Sequence, residues 1–263
     1  MQANLAFYDH LAACLAITEP EQKCMAVEEL WNLVAHSAIE LEGTAPRPIA
    51  EPGRPLKPEL VHPGKVPRRR LGSEMGRAVL VHAVTHIEFN AINLALDAAY
   101  RFRDFPAAYY KDWLSVAWDE VRHFRLLGER LQQMGYSYGD FPAHNGLWEM
   151  AVKTAHDPMV RMALVPRVLE ARGLDVTPGM MQRLAAVGDH QTVAALEIIL
   201  TEEIRHVAIG SHWFSYCCQQ RGLLPEQTFK KLLAEYYGKL RGPFNIEARL
   251  EAGFSRQEIE SLA

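Results

Sequence analysis

DEVRHFRLL, residues 119–127, and EEIRHVAIG, residues 202–210, repeat one pattern in which a glutamate and a histidine stand three positions apart. One further glutamate precedes each pair, by 32 residues in the first half of the chain and by 33 in the second. The complete set is Glu88, Glu120 and His123, followed by Glu170, Glu203 and His206. The two pairs are 83 residues apart and the two lone glutamates 82. The whole group of metal-ligand-type residues is therefore duplicated.

The spacing within each pair predicts a helix that presents both side chains on one face. Small or apolar residues stand at helical spacing around them, such as Val84 and Ala91 on either side of Glu88. A buried carboxylate is costly unless it is paired, protonated or bound to metal, so these faces favour a metal site over exposed salt bridges. A four-helix bundle holds two metal ions when two helices give one Glu each and two give Glu-x-x-His. The sequence predicts that arrangement.

The donor types indicate which metal is expected. Mixed carboxylate and imidazole ligands suit iron or manganese better than zinc, which prefers Cys and His in closed sites. Four glutamates balance the charge of two divalent ions, so two metal ions are expected, iron first and manganese as the alternative. A third Glu-x-x-His, Glu59 to His62, lies between Pro58 and Pro63 and is not expected to be helical.

The rest of the pattern predicts an all-α chain, a ferritin-like four-helix bundle with a long crossover between its second and third helices. The bundle helices are expected over 73–101, 107–134, from Asp157-Pro158 with a bend at Pro166, and over 190–220. Thr177-Pro178 is expected to begin a short extra helix. The expected divisions are an N-terminal helical extension (1–42), a proline-rich arm (43–70), the bundle (71–221) and a C-terminal helical tail (222–263).

Residues beside the ligands suggest further roles. Asp119 and Glu202 each precede a ligand glutamate and are candidates to hold a ligand histidine by its second ring nitrogen, with exposed charge as the alternative. Small residues collect at one end of the bundle, where they predict a substrate pocket. The alternative, equally favoured, is that they only let helices pack closely. The pocket residues are Ala91, Ala95, Ala117, Ala163 and Gly210.

Composition limits the partners and the compartment. A net charge of −4 gives no general attraction to nucleic acid or to an anionic membrane, and no apolar stretch is read as a membrane span. Four cysteines without a CxxC pair fit a reducing cytoplasm. The triplet Arg68-Arg69-Arg70 is more often a solvated patch than an RNA contact, so RNA is the less favoured partner. A homo-oligomer is compatible with the sequence.

Several longer strings resemble one known family, over about residues 45–250. They are HIEFNAINLALDAAYRF (86–102), DEVRHFRLL (119–127), YGDFPAHNGLWEM (138–150), LVPRVLEARGLDVTPGM (164–180) and EEIRHVAIGSHWF (202–214). This family is the domain-of-unknown-function family 455, a branch of the ferritin-like di-metal carboxylate superfamily. The resemblance implies a ferritin-like bundle with a di-iron site at the six duplicated residues. More remotely, the chain is similar to ferritin-like tRNA hydroxylases, which use di-iron and oxygen to hydroxylate a modified adenosine.

The expected function is a di-iron oxidoreductase that activates dioxygen, with an electron donor, to oxidise or hydroxylate a small or tethered substrate. Iron handling, as a ferroxidase or store, is an alternative that the long arm and extra helices disfavour. A structural or partner-binding protein with a vestigial site is a second alternative, which the complete ligand set disfavours.

Overall fold

The structure, a computed structural model, describes residues 7–35, 41, 45–67 and 71–262. Within these ranges the chain forms helices and no strand, which confirms the all-α prediction. The helices are α1 (Phe7–Ala16), α2 (Pro20–Ala35), α3 (Glu74–Arg101), α4 (Ala107–Gln133), α5 (Gly146–Lys153), α6 (Pro158–Leu164), α7 (Ala171–Ala185), α8 (His190–Gln220), α9 (Pro225–Tyr236), α10 (Ile246–Glu251) and α11 (Arg256–Ser261). A π-helical segment, Val165–Glu170, joins α6 to α7, and Pro63–Lys65 is one 3-10 turn. The predicted basic triplet, residues 68–70, lies outside the described residues.

The chain divides into two compact units, Met1–Val152 and Lys153–Ala263. The first contains α3 and α4, and the second contains α6, α7 and α8, so each unit holds one copy of the duplicated ligand set. The four-part division expected from the sequence, with boundaries at residues 42, 70 and 221, stays a prediction.

In the first unit, α3 and α4 form an antiparallel pair joined by a short turn. The Tyr109 hydroxyl near the start of α4 donates to the carbonyl oxygen of Ala98 near the end of α3, at 3.1 Å. Further along, the rings of Phe89 and Phe124 lie 5.5 Å apart, centroid to centroid. Late residues of α3 therefore pair with early residues of α4, and the two helices are antiparallel.

Helix α3 is the central element of this unit. Within the described residues it is the one helix whose length and apolar character would suffice to cross a membrane. Polar residues such as His86, Glu88 and Asn90 interrupt its apolar residues, so the sequence contains no continuous apolar run even though the average hydropathy of the helix is high. However, 83% of its most apolar window is buried inside the protein, as in the core helix of a globular unit.

Within the first unit, the N-terminal helices are held against α3 by a buried lysine. Lys23 of α2 is fully buried. Its Nζ donates to the carbonyl oxygens of Cys14 and Leu15, each at 3.1 Å, and to Asn93 Oδ1 at 2.6 Å. These bonds satisfy the last carbonyls of α1 and connect both N-terminal helices to α3. Burial lowers the pKa of Lys23 to about 7.

The described part of the proline-rich arm, residues 45–67, contacts helices of the first unit. Trp148 Nε1 in α5 donates to the carbonyl oxygen of Ala50 at 2.8 Å. The backbone N–H of Gly53 donates to the Leu15 carbonyl at 2.7 Å. A side chain at Gly53 would strike the backbone of Ala16, so only glycine permits this approach.

Two histidines of α3 hold the connection that follows α4. His82 Nε2 accepts from the backbone N–H of Gly139 at 2.9 Å. The two ring nitrogens of His86 contact the Tyr138 hydroxyl at 2.9 Å and the His144 carbonyl oxygen at 3.2 Å. Burial lowers the pKa of both histidines to about 4. They are neutral residues whose role here is structural.

These histidines predict loss of stability in acid. In the unfolded chain each protonates near pH 6.5, whereas the folded state holds each neutral until about pH 4. The unfolded state therefore binds more protons between pH 6.5 and 4, and the free energy of unfolding falls by roughly 2–3 kcal/mol per histidine as pH drops through that window. His82→Gln keeps an acceptor for Gly139 but cannot titrate.

Urea unfolding at pH 7 and pH 4.5 measures this effect. We expect His82→Gln to lose less stability than the wild type on acidification, and the exposed-residue control His190→Gln to behave like the wild type. An identical pH dependence for His82→Gln and wild type would contradict the assignment of a buried neutral imidazole.

In the second unit, the α6 to α7 segment runs antiparallel to α8. Asp157 caps α6, since its Oδ1 accepts from the Met159 N–H at 2.7 Å, and it pairs with Arg221 at the end of α8 at 2.7 Å. Asp189 caps α8 by accepting from the Thr192 N–H at 3.1 Å. Asp157 and Asp189 are therefore the N-caps of α6 and α8.

The prediction of a separate helix beginning at Thr177-Pro178 is wrong, because α7 continues through Pro178. Proline cannot donate to the carbonyl four residues earlier, which is that of Leu174. Asn245 Nδ2 donates to this carbonyl oxygen instead, at 3.2 Å. A partner distant in sequence therefore satisfies the group that would otherwise end the helix.

Pro166, at which the sequence predicted a bend, interrupts the regular α-helix. It lies inside the π-helical segment, where the N–H of Ala171 bonds back to the Pro166 carbonyl. A Cβ built on Gly210 of α8 would overlap the Pro166 ring. Gly210 therefore lets α8 and the π-helical segment approach closely, which at this position supports the packing alternative for the small residues.

We expect Gly210→Ala to destabilise the second unit by about 1–3 kcal/mol through overpacking against a rigid ring. The matched control is Gly173→Ala in α7, where an added Cβ meets nothing within 4 Å. That change should be neutral or stabilising by up to about 1 kcal/mol. Urea denaturation of the two variants provides the comparison, and equal stabilities would contradict close packing at Gly210. Adding Pro166→Ala should recover part of the loss, because the Pro166 ring is what the added Cβ would meet.

Candidate metal centre

In the first unit the structure brings together the three predicted ligands of α3 and α4. His123 Nδ1 lies 3.1 Å from Glu120 Oε2 and 3.5 Å from Glu88 Oε2. One ligand atom from each of the three residues lies within 4.8 Å of the others. None of the three is more than 3% exposed. Two carboxylates and one imidazole thus form a compact buried cluster that could hold a metal ion.

The electrostatics of this cluster favour added positive charge. Burial alone would lower the pKa of His123, but its hydrogen bonds and charge interactions with Glu120 and Glu88 outweigh burial and raise the pKa well above its usual value. Two buried carboxylates thus draw a positive charge onto the imidazole. A divalent cation supplies such charge, and carboxylate oxygen and imidazole nitrogen are suitable donors for it.

The second unit contains the corresponding pair on α8. His206 Nδ1 lies 3.4 Å from Glu203 Oε1, which repeats the contact between His123 and Glu120. His206 is fully buried, and the side chain of Glu203 is 14% exposed. The spacing of three residues along each helix therefore gives the same local geometry in both units.

Glu170 lies at the end of the π-helical segment in the second unit. In this antiparallel pair Pro166 faces Gly210. Glu170 follows Pro166 by four residues and His206 precedes Gly210 by four. One helical turn along each element therefore places Glu170 level with His206. The π segment bears a predicted ligand, and π-helical turns are frequent at functional sites.

The residues expected to support the ligands lie in different environments. Asp119 is buried, and its Oδ1 accepts from Arg122 Nη1 at 2.9 Å. Glu202 is half-buried on α8. Their proposed role of holding a ligand histidine stays a prediction.

The residues expected to line a pocket are all buried. Ala91 and Ala95 lie on α3, Ala117 on α4, and Ala163 on α6. The pocket at the four alanines stays a prediction, whereas Gly210 is in contact with Pro166.

The sequence did not indicate a role for Arg167, Asp175 and Arg249, which form buried ion pairs in the second unit. Arginine and aspartate are usually exposed, and nothing in their local spacing indicates burial.

A comparison with known proteins agrees with the family resemblance of these sequence segments. Residues 16–260 match the family described as protein of unknown function DUF455. A protein from Haemophilus influenzae, described as uncharacterized, is 45% identical to the chain, over 97% of this chain and 92% of the relative. No solved structure matches the chain. The family match covers nearly the whole sequence, and the chain therefore belongs to the DUF455 family.

Proposed function

We propose that the chain is a ferritin-like di-iron protein that activates dioxygen to oxidise or hydroxylate a small or tethered substrate in the cytoplasm. The six predicted ligands would hold the metal, three of them on the antiparallel helix pair of each unit. The observation that carries this proposal is the repeated contact between histidine and glutamate, 3.1 Å in one unit and 3.4 Å in the other, at equivalent positions of the duplicated sequence.

The residues present fit a pair of iron ions. Glu88, Glu120 and His123 would serve as ligands in one half, and Glu170, Glu203 and His206 in the other. Four carboxylates offset the charge of two divalent ions, so the site would carry little net charge in a buried environment. When bound, two iron ions would supply electrons for the reduction of dioxygen and positions at which it can bind.

The protein's contribution is rigidity and exclusion of water. Phe89 and Phe124 follow Glu88 and His123 in sequence and pack ring against ring at 5.5 Å, beside the first ligand cluster. Ala91, Ala95 and Ala117 are fully buried or nearly so, which keeps this part of the helix pair apolar. Buried ligands on packed helices lose little freedom on binding, and an apolar surrounding limits access of bulk water.

An iron-handling protein and an oxygenase are expected to differ in the amount of iron that each chain accumulates. An iron-loading experiment therefore distinguishes the two functions. The full-length protein is loaded with ferrous iron without oxygen, oxygen is then added, and oxygen uptake and iron per chain are both measured. We expect oxygen uptake that stops after about two iron ions per chain are oxidised. Accumulation of many iron atoms per chain would overturn the proposal in favour of storage, and no oxygen uptake by the loaded protein would overturn both.

A further inference from the structure

The second unit contains a cavity of about 240 Å³ that none of the predicted metal ligands lines. The cavity is lined by residues near Arg172 and by residues that follow α9 in the chain. Val168 and Arg172 line it, and they lie two residues before and after Glu170. Residues two apart point to nearly opposite sides of a helix, so the cavity lies on the face away from Glu170.

A buried arginine forms part of the cavity wall. Arg249 is 1% exposed. Its Nε and Nη2 donate to the two oxygens of Asp175 at 2.9 and 2.7 Å. Its Nη1 is buried without a hydrogen-bond partner in the structure. A buried unsatisfied donor is costly, so an additional acceptor near the Nη1 amino group of Arg249 would be favourable.

Positive charge exceeds negative charge around this cavity. Four cationic side chains line it, and Asp175 is the one carboxylate among the lining residues. Besides Arg249, Asp175 accepts from the backbone N–H of Asn245 at 3.0 Å, so its oxygens are already occupied. The other three cations are Arg172, Lys239 and Arg241. Lys239 and Arg241 are exposed at the rim.

The remaining walls are aromatic or apolar. Tyr237, Leu240 and Phe244 line the cavity beside the cations. The Arg249 guanidinium lies 5.2 Å from the centre of the Phe244 ring. Aromatic walls with a few converging polar groups are typical of small-molecule sites, and a cavity of this size suits a ligand smaller than a typical drug.

We propose that this cavity binds a small phosphate-bearing ligand. A phosphate dianion carries several acceptor oxygens and is matched by clustered arginine and lysine donors. The aromatic wall of Tyr237 and Phe244 accommodates a ring or another apolar part of the ligand. The ligand class is thus a phosphorylated small molecule, taken up on the opposite face of the helix that carries Glu170. The site does not depend on the proposed metal chemistry.

Titration calorimetry on the full-length protein tests the proposal, with inorganic phosphate and adenosine monophosphate as separate probes at constant ionic strength. We expect saturable binding at one site per chain. Tighter binding of adenosine monophosphate would show that the ring contributes, and equal binding would show that the phosphate group alone is recognised. Absence of saturable binding for both probes would overturn the proposal.

The deciding variant is Lys239→Met with Arg241→Met, which removes two exposed charges at the rim and leaves the buried Arg249–Asp175 pair intact. We expect binding weaker by roughly tenfold to a hundredfold, because each charge-assisted contact is strong. The matched control is Lys230→Met with Lys231→Met, two exposed lysines of α9 that do not line the cavity. Equal weakening in both double variants would show general charge attraction and overturn the site.

Discussion

Replacing Arg167 with methionine is expected to destabilise the second unit by about 3–5 kcal/mol, because it leaves a buried carboxylate without its partner. Arg167 Nη2 donates to Glu258 Oε1 at 2.7 Å, and both side chains are nearly fully buried. Its guanidinium also lies over the rings of Phe214, Phe229 and Phe254, at 4.4–4.9 Å from their centres. One arginine thus connects the π-helical segment to α8, α9 and the C-terminal helices.

Unfolding in guanidinium chloride, measured for three variants, distinguishes the contribution of the buried charge to stability from the contribution of side-chain packing. Arg167→Met alone should show the full loss. Adding Glu258→Gln should recover a substantial part of it, since no uncompensated charge then remains buried. The exposed control Arg183→Met in α7 should change stability by less than about 0.5 kcal/mol. A loss for Arg167→Met no larger than for Arg183→Met would contradict the structural role.

Removal of metal is expected to produce a loss of similar size. A ligand that binds only the native state stabilises it by about 4 kcal/mol at a thousand times its dissociation constant. The buried carboxylates Glu88 and Glu120 also repel each other when no cation is bound. We therefore expect the melting temperature of the iron-loaded protein to fall when a chelator removes the metal.

Neutral variants of the ligand glutamates provide the control for this prediction. Glu120→Gln and Glu203→Gln should each lose metal, yet each should tolerate its absence better than the metal-free wild type, since one negative charge among the ligands is gone. Thermal unfolding is followed with and without chelator for all three proteins. Equal melting temperatures for the wild type in both conditions would mean that the cluster binds no metal.

The elements that carry the ligands could be predicted closely from the sequence. Helix α8 has the predicted bounds, and α3 and α4 differ from prediction by one residue at one end. Long runs with apolar residues at helical spacing determine these helices locally. The positions of Glu120 beside His123 and of Glu203 beside His206 follow from the same local periodicity, because residues three apart on a helix must be neighbours.

What the sequence did not reveal depends on partners that are distant along the chain. Helix α7 passes through Pro178 because Asn245, 71 residues from Leu174, satisfies the freed carbonyl. Asp175 and Arg249 are 74 residues apart, and His86 and His144 are 58 apart. Local composition does not indicate such contacts. The sequence alone therefore does not distinguish these buried arginines and neutral histidines from ordinary surface or core residues.

The most direct test of the proposed metal centre is metal content per chain after anaerobic iron loading and removal of excess ions. Three double variants are compared with the wild type: Glu120→Ala with His123→Ala, Glu203→Ala with His206→Ala, and Glu59→Ala with His62→Ala. The last removes the third Glu-x-x-His, which lies on the arm and serves as the matched control. We predict about two iron ions per chain in the wild type and in the arm variant, and loss of iron in each of the other two. Absence of iron from the wild type, or full occupancy in either ligand variant, would contradict the metal centre.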